Sequence, residues 1–473
     1  MPESNDPPFA QPIANEQSPT KSVRVTPEET TNDAVGDQGG PQKFTNGGPT
    51  SPLIELIRTA EGKIARAVCV GKEDGTIRLA GGSNINYEGR GYSVPELPSA
   101  LQEGLVLPTK FPPMGPSKDL FESVLSFFQK HVKLPSREHT LLAYWSIATW
   151  FPDFLPFFPS LEVTGPSAGV DVLFKALMTV CRRPVMLADV SPSSLRAFPI
   201  SELLPTLLIR QPQLTKRMAS ILDASAQPGY LVSHGKEYCR LYCPKCIYVD
   251  EVRKSDALLK TSLSVHVESN SWQSQSLLAN RETAQDFQNR LFSYRLFSHD
   301  KVARSNFRVS GFRPETCAIA EVLGAAIVDN TELQARVIAL MGERDKQSRV
   351  DRSSGIHGMV VRAVLLHCHE SDQPKLFVRE IAETVNQIYR QEGESSKVSS
   401  ETVGHVLKSL GVYSQRLGSA GRGFLLQKAL HVQAHRLGAA YDVLPEVPAC
   451  GYCNALQKTE TEKLVQDEAV VQV

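Results

Sequence analysis

The chain has 473 residues, 41% of them hydrophobic, enough to bury at least one substantial core and to form roughly two to four domains. Lysine plus arginine equal aspartate plus glutamate at 51 each, so no net field draws the whole molecule to nucleic acid or to a membrane, and any such binding must come from a local patch. The first residues carry neither the basic nor the apolar region of a secretion signal, and the longest apolar stretch, 141 to 161, is broken by Pro152, Asp153, Pro156 and Pro159. Nine cysteines without a signal peptide read as reduced thiols, so the expectation is a cytoplasmic protein with no membrane partner.

Residues 1 to 50, rich in Pro, Asn, Gln, Ser, Thr and Gly, lack apolar periodicity and are expected to form a disordered tail. Residues 51 to 116 read as a small hairpin-containing region and linker. There "IARAVCVGKEDGTIRLA", 64 to 80, sets two alternating segments around Asp74-Gly75. A helix is predicted after Ser117, where Phe121, Val124, Leu125, Phe128 and Val132 recur at helical spacing and Pro135 marks the stop; a second runs from Glu138 towards Trp150. "SLEVTGPSAGVDVLFKAL", 160 to 177, is a strand, a glycine-containing loop and an amphipathic helix. "PVMLADVS" (184 to 191), "LLPTLLIRQ" (203 to 211) and "YCRLYCPKCIYVDE" (238 to 251) are further apolar strands, and mostly helical residues follow to Glu370. Apolar strands alternating with helices predict a mostly parallel α/β sheet over 117 to 355.

The segment 356 to 445 has its own pattern. Residues 359 to 369 are helical; Val378, Ile381, Val385 and Ile388 mark a second helix, and Val403, Val406, Leu407 and Leu410 a third that Gly411 ends. "VYSQRLGSAGRGFLLQ", 412 to 427, reads as two strands around a glycine-rich turn, and three helices followed by a hairpin describe a winged helix. Residues 446 to 473 are expected to be a flexible tail.

The loop after the first parallel strand almost fits G-x-x-x-x-G-K-[ST] from Gly165, but Val170, Asp171 and Val172 stand where the closing Gly-Lys-Ser/Thr belongs. A carboxylate at Asp171 would repel phosphate by roughly 4 kcal/mol per charge pair at about 4 Å and an effective dielectric near 20. The partner strand should end in acids that hold Mg²⁺, and "PTLLIRQ" ends in Arg210 and Gln211. The nucleotide-site remnant is thus Gly165, Ser167, Gly169, Asp171, Arg210 and Gln211. No catalytic residue and no cofactor are expected, with weak nucleotide binding through loop N–H groups left open. Because both signs are exchanged, Asp171 is expected to pair with Arg210 at about 2.7 to 3.2 Å. The competing reading is an ordinary strand-loop-helix of an unrelated α/β fold.

From 120 to 441 the order of "LLAYWSIATWF", "LEVTGPSAG", "MLADVSPSSLRAF", "LPTLLIRQ", "LYCPKCIYVDE" and "GRGFLLQ" resembles the helicase-type P-loop ATPases of phages and mobile elements, including the primase-helicases with a C-terminal winged helix. The resemblance implies a degenerate P-loop sheet core, with 165 to 172 as the phosphate loop and Arg210 and Gln211 at the metal-site acids. It implies a non-hydrolysing, nucleic-acid-associated binding or scaffold protein of mobile-element origin. Its implied partners are double-stranded DNA through the winged helix, and other replication or mobile-element proteins. A residual ATPase or primase-helicase subunit, and a protein-protein scaffold without DNA or nucleotide, are the alternatives.

Cys243, Cys246, Cys450 and Cys453 would supply four thiolates, but on a strand residues three apart point to opposite faces, so no bound metal is expected. His367, Cys368 and His369 diverge by about 100° per residue on a helix and do not converge either. Basic residues concentrate twice: Arg290, Arg295, Lys301, Arg304, Arg308 and Arg313 against Asp300, and Lys397, Lys408, Arg416, Arg422 and Lys428 against Glu401. In the third C-terminal helix the apolar set faces inward, leaving Glu401, His405 and Lys408 outward. The predicted nucleic-acid contacts are therefore His405, Lys408, Arg416 and Arg422.

Overall fold

In the computed structural model, the described residues are 53–71, 77–82, 84–87, 90–234, 237–249, 262–268, 281–370, 374–443 and 450. The expected tails at 1–50 and 446–473 (apart from Cys450), the Asp74-Gly75 turn and the Asp250-Glu251 pair lie outside them. The chain divides after Val94 into two compact units. In the first, β1 (Leu53–Arg58), β2 (Ile64–Gly71) and β3 (Ile77–Gly82) form an antiparallel sheet in that order. The alternation over 64 to 80 produces β2 and β3, with Gly71 opposite Ile77. β1, with Leu53 and Leu56 buried, is not anticipated by the sequence reading. A hairpin of β4 (Asn84–Tyr87) and β5 (Arg90–Ser93) follows.

The second unit opens with α1 (Ser99–Gly104), α2 (Ser117–His131) and α3 (Ser136–Ala148). Phe121, Val124, Leu125 and Phe128 of α2 are buried, as their spacing requires, and Pro135 caps α3. From His139 to Ala148 every residue of α3 is buried, so this helix is enclosed on all sides, with His139, Thr140 and Ser146 as its buried polar residues.

The sheet follows: β6 (Ser160–Thr164), α4 (Ser167–Val180), β7 (Pro184–Leu187), α5 (Pro192–Ala197), α6 (Ile200–Leu203), β8 (Thr206–Ile209), α7 (Lys216–Ala224), β9 (Val232–His234), β10 (Glu237–Cys239), β11 (Lys245–Tyr248) and β12 (Ser262–His266). Five strands pair in parallel in the order β12-β6-β11-β8-β7. β8 is buried at all four residues, which is why it reads as a continuous apolar run. Two expectations change here. Tyr238 and Cys239 belong to the antiparallel pair β9–β10, with Tyr238 exposed, and the parallel strand starts only at Lys245. The stretch expected to be helical contains β12, an edge strand whose Leu263 and Val265 are buried while Ser264 and His266 face out. With one open face its pattern alternates over only five residues, too short to stand out by apolar content.

Long helices α8 (Arg281–Ala303), α9 (Pro314–Ala325) and α10 (Thr331–Ser354) lead to the C-terminal elements. These are α11 (Ile356–Glu370), β13 (Lys375–Phe377), α12 (Val378–Gln391), α13 (Ser400–Ser409), β14 (Gln415–Arg416), β15 (Arg422–Leu425) and α14 (Lys428–Ala440). Val360, Leu365, Ile381, Val385, Val403, Leu407 and Phe424 form their shared core, each side chain contributing about 1.5 to 3 kcal/mol by burial. Ser399 Oγ accepts the Thr402 N–H at 3.1 Å to start α13. Gly411 ends it at a φ of +74°, while the Val412 N–H reaches back to the Leu407 carbonyl at 2.8 Å. β14 and β15 pair antiparallel as the glycine-rich segment predicts; β13, which completes the sheet on the other side of β15, and α14 are additions. Among the described residues no helix is long and apolar enough to cross a membrane.

Candidate functional site

Because the five strands are parallel, the chain leaving β6 at Gly165 and the chain leaving β8 at Arg210 emerge at the same sheet edge, with β11 between them. In open parallel sheets ligands bind at this carboxyl edge, where the strand order switches sides, and β6 has β11 on one side and β12 on the other. The link from β6 to α4 is short. Gly165 adopts a φ of +119°, Pro166 caps α4, and helix begins at Ser167. The N–H groups of Gly169 and Val170 both donate to the Pro166 carbonyl, at 2.9 and 3.1 Å. They are closed into the first helical turn instead of facing a phosphate. Val170 and Val172, at the closing motif positions, are buried in the core.

The two glycines have a different local role. A Cβ at Gly165 would lie 2.1 Å from the Val267 carbonyl oxygen, and one at Gly169 would lie 2.2 Å from that of Glu268. Both therefore serve the close approach of the chain that follows β12.

Across this edge Arg210 forks onto Asp171. Its Nε donates to Oδ1, its Nη2 donates to Oδ2 at 3.1 Å, and the same Nη2 donates to Ser167 Oγ at 2.5 Å. The expected pair is present, and the two side chains are 36% and 35% exposed. The hydrogen bond to Asp171, with its charge, pushes the Arg210 pKa up from an already high value. β6 and β8 are two strand spacings apart, about 10 Å, a gap that the long arginine side chain spans over the end of β11. There the Tyr248 hydroxyl donates to the Gly165 carbonyl at 3.2 Å. Gln211 turns elsewhere: its Oε1 accepts the Val190 N–H at 3.0 Å and holds the loop after β7. The structure thus gathers Gly165, Ser167, Gly169, Asp171 and Arg210 on one edge and leaves Gln211 outside the group.

In the C-terminal elements His405, Lys408, Arg416 and Arg422 are all exposed, and Val403, Val406 and Leu407 are buried behind them. Arg416 sits directly opposite Arg422 in the β14–β15 pair. Arg422 is held by Ser414, donating from Nε to Oγ at 3.1 Å and from Nη2 to the carbonyl at 2.9 Å. Opposed residues of an antiparallel pair share a face, so the ribbon carries two like charges on one face, an arrangement that costs stability. His405 Nε2 lies 4.0 Å from Glu401 Oε1 at the helix surface.

The first basic cluster does not form one patch. Arg295 is buried, with Nη1 and Nη2 donating to Asp153 at 2.9 and 2.6 Å and its guanidinium stacked over Phe154. Arg313 pairs with Asp345 at 3.3 Å, Arg290 with Asp286 at 3.6 Å and Arg308 with Glu321 at 3.7 Å. Four of the six are thus engaged in ion pairs, while Lys301 and Arg304 are exposed.

Cys243 and Cys246 are both fully buried, but only Cys246 lies on β11; Cys243 precedes the strand, so the two do not share it as expected, and burial pushes the Cys243 thiol up to about 11. Cys453 lies outside the described residues. His367, Cys368 and His369 diverge as helical geometry predicts: His367 meets Thr384 at 2.9 Å, Cys368 is buried, and His369 turns to α14. There His369 Nε2 lies 2.9 Å from His435 Nε2, which lies 3.2 Å from Cys450 Sγ. The sequence reading missed this meeting because its members come from three separate segments, and only the isolated Cys450-Gly-Tyr-Cys453 spacing signals it.

No family model matches the sequence, and no curated protein matches it. Solved structures align with the chain at low TM-scores. The A form apo structure of NrS-1 C terminal region-CTR aligns over 79% of this chain and 97% of its own, at 12% identity and a TM-score of 0.32. The A form apo structure of its CTR(305-718) form aligns over 79% and 96%, at 12% identity and a TM-score of 0.28. The structure of Drosophila ORC bound to DNA aligns over 73% and 95%, at 14% identity and a TM-score of 0.16. At these scores segments are matched loosely, and no activity is carried across.

Proposed function

We propose that the protein is a non-hydrolysing, P-loop-like module that docks on duplex DNA through a C-terminal winged helix, a binding or scaffold protein of mobile-element origin. The origin rests on the order of sequence segments alone. Reading α11 to β15 as a winged helix places α13 and the β14–β15 ribbon where nucleic-acid contacts fall. The observation that carries the proposal is the exposed Arg416–Arg422 cross-strand pair. Side by side, two guanidiniums repel, and a phosphate backbone neutralises both, so the arrangement is useful with a polyanion bound. The absence of turnover rests on the parallel sheet, where the Asp171–Arg210 fork occupies the edge that the metal and phosphates would need.

Fluorescence anisotropy of the full chain with a labelled duplex, taken over a range of salt, tests the docking. Binding with little sequence preference is expected, and combined alanine substitution of Lys408, Arg416 and Arg422 should lower the log-log salt slope by about one unit per lost phosphate contact. A triple variant that binds as the parent does assigns this face to a protein partner instead.

A further inference from the structure

The C-terminal core brings together a set of donor atoms that the proposed docking does not use. His369 comes from the last turn of α11, His435 from the middle of α14, and Cys450 from the chain beyond α14. Their ligand atoms all lie within 4.8 Å of one another, the one such group among the described residues. His435 is buried, and the imidazole rings of His369 and His435 meet edge to face with centroids 4.9 Å apart.

The orientation of His435 is specific. Its Nδ1 lies 2.7 Å from the His431 carbonyl oxygen. A carbonyl only accepts, so Nδ1 carries the proton and the Nε2 of the neutral ring carries a lone pair. That nitrogen is the atom on which His369 Nε2 and Cys450 Sγ converge, at 2.9 and 3.2 Å. A backbone carbonyl that fixes one ring nitrogen while the other faces further nitrogen and sulfur donors is the usual outer support of a metal-bound histidine. Tetrahedral zinc with Zn–N near 2.0 to 2.1 Å and Zn–S near 2.3 Å separates its ligand atoms by about 3.3 to 3.6 Å. These edges are only slightly longer than the two short contacts and well inside the 4.8 Å that encloses the group. Small side-chain rotations admit the ion.

We propose that His369, His435 and Cys450 bind one zinc ion, which fastens the chain at Cys450 to the packed pair α11 and α14. Two imidazoles and a thiolate are a borderline-soft donor set that suits zinc and disfavours magnesium or calcium. Tetrahedral coordination takes a fourth ligand beyond these three. Binding releases the Cys450 thiol proton, since the thiolate is the ligand.

The test uses full-length protein purified without chelator. Elemental analysis is expected to give one zinc per chain in the parent and less than about a tenth of that in Cys450→Ser and in His435→Gln. Stripped protein refilled with cobalt(II) should show the visible bands of a four-coordinate ion together with a thiolate-to-cobalt charge-transfer band in the near ultraviolet. The charge-transfer band should be lost in Cys450→Ser while the far-ultraviolet circular dichroism is kept. A parent without zinc that also gives no cobalt spectrum overturns the proposal, and this measurement does not depend on any variant folding. Zinc retained in full by both variants overturns it as well, because the ion would then be held elsewhere.

Discussion

A guanidinium and a carboxylate, each about one-third exposed, face each other at the sheet edge where Arg210 meets Asp171. At that exposure water screens the pair, so its value is far below that of a buried ion pair. A double-mutant cycle with Asp171→Ala and Arg210→Ala should return a coupling of about 0.5 to 1 kcal/mol in denaturant unfolding. A coupling indistinguishable from zero would reduce the fork to a resting contact. The ribbon arginines behave oppositely. Replacing Arg416 by Glu turns a like-charge cross-strand pair into an attractive one and should stabilise the protein by about 0.2 to 1 kcal/mol while weakening duplex binding. If thermal unfolding moves down instead, the Arg416–Arg422 opposition carries no strain and loses its value as a sign of a polyanion site.

At the scale of elements the decisive feature is where α4 starts. A phosphate loop keeps several residues out of the helix so that their N–H groups surround phosphate, and here helix begins at Ser167, two residues after Gly165. Correcting the charges therefore does not recover the chemistry. The double variant Asp171→Lys with Arg210→Asp gives both positions the charge signs of a working phosphate loop, yet phosphate release from ATP and Mg²⁺ should stay at background, because the Gly169 and Val170 N–H groups remain in the first turn and Val172 has no hydroxyl. Measurable turnover in that variant would show that the charges alone had silenced the site.

For the whole molecule, Asp345 of α10 connects distant parts. This nearly fully buried carboxylate receives Arg313 Nε at 3.3 Å, Thr316 Oγ1 at 2.9 Å and Arg349 Nε at 2.7 Å, and Arg349 continues to Asp442 at 2.8 Å, beyond α14. Burial by itself raises the Asp345 pKa, but hydrogen bonds from Arg349, Thr316 and the Arg313 backbone outweigh it and hold the group below 3.8. With the folded pKa below the unfolded one, its contribution is present above about pH 4 and is lost as pH falls through the folded value. Asp345→Asn should cost about 1.5 to 3 kcal/mol at neutral pH, since it takes the charge partner from the nearly buried Arg313, while the more exposed Arg349 keeps Asp442. In unfolding measured at falling pH, the gap between parent and variant should narrow below about pH 4; a constant gap would mean that packing, not charge, sets the loss.

Much of this architecture is local in origin and was legible in the chain itself. Phe121, Val124, Leu125 and Phe128, or Val403, Val406 and Leu407, face inward because 3.6-residue periodicity leaves an amphipathic helix one way to bury them. Gly411 ends α13 because few other residues adopt positive φ at low cost. Even the Asp171–Arg210 contact followed from exchanged charges at two motif positions on parallel strands. The tertiary structure decided what depends on which distant segments meet. It placed Arg295, one of the basic residues concentrated between 290 and 313, in the core beside Asp153, added the edge strand β12, and brought His369, His435 and Cys450 together. β12 leaves only a five-residue alternation, and the other two leave no periodic trace, because a side chain's partner across the fold is selected by packing and charge at close range, whereas periodicity along the chain records only which face is apolar.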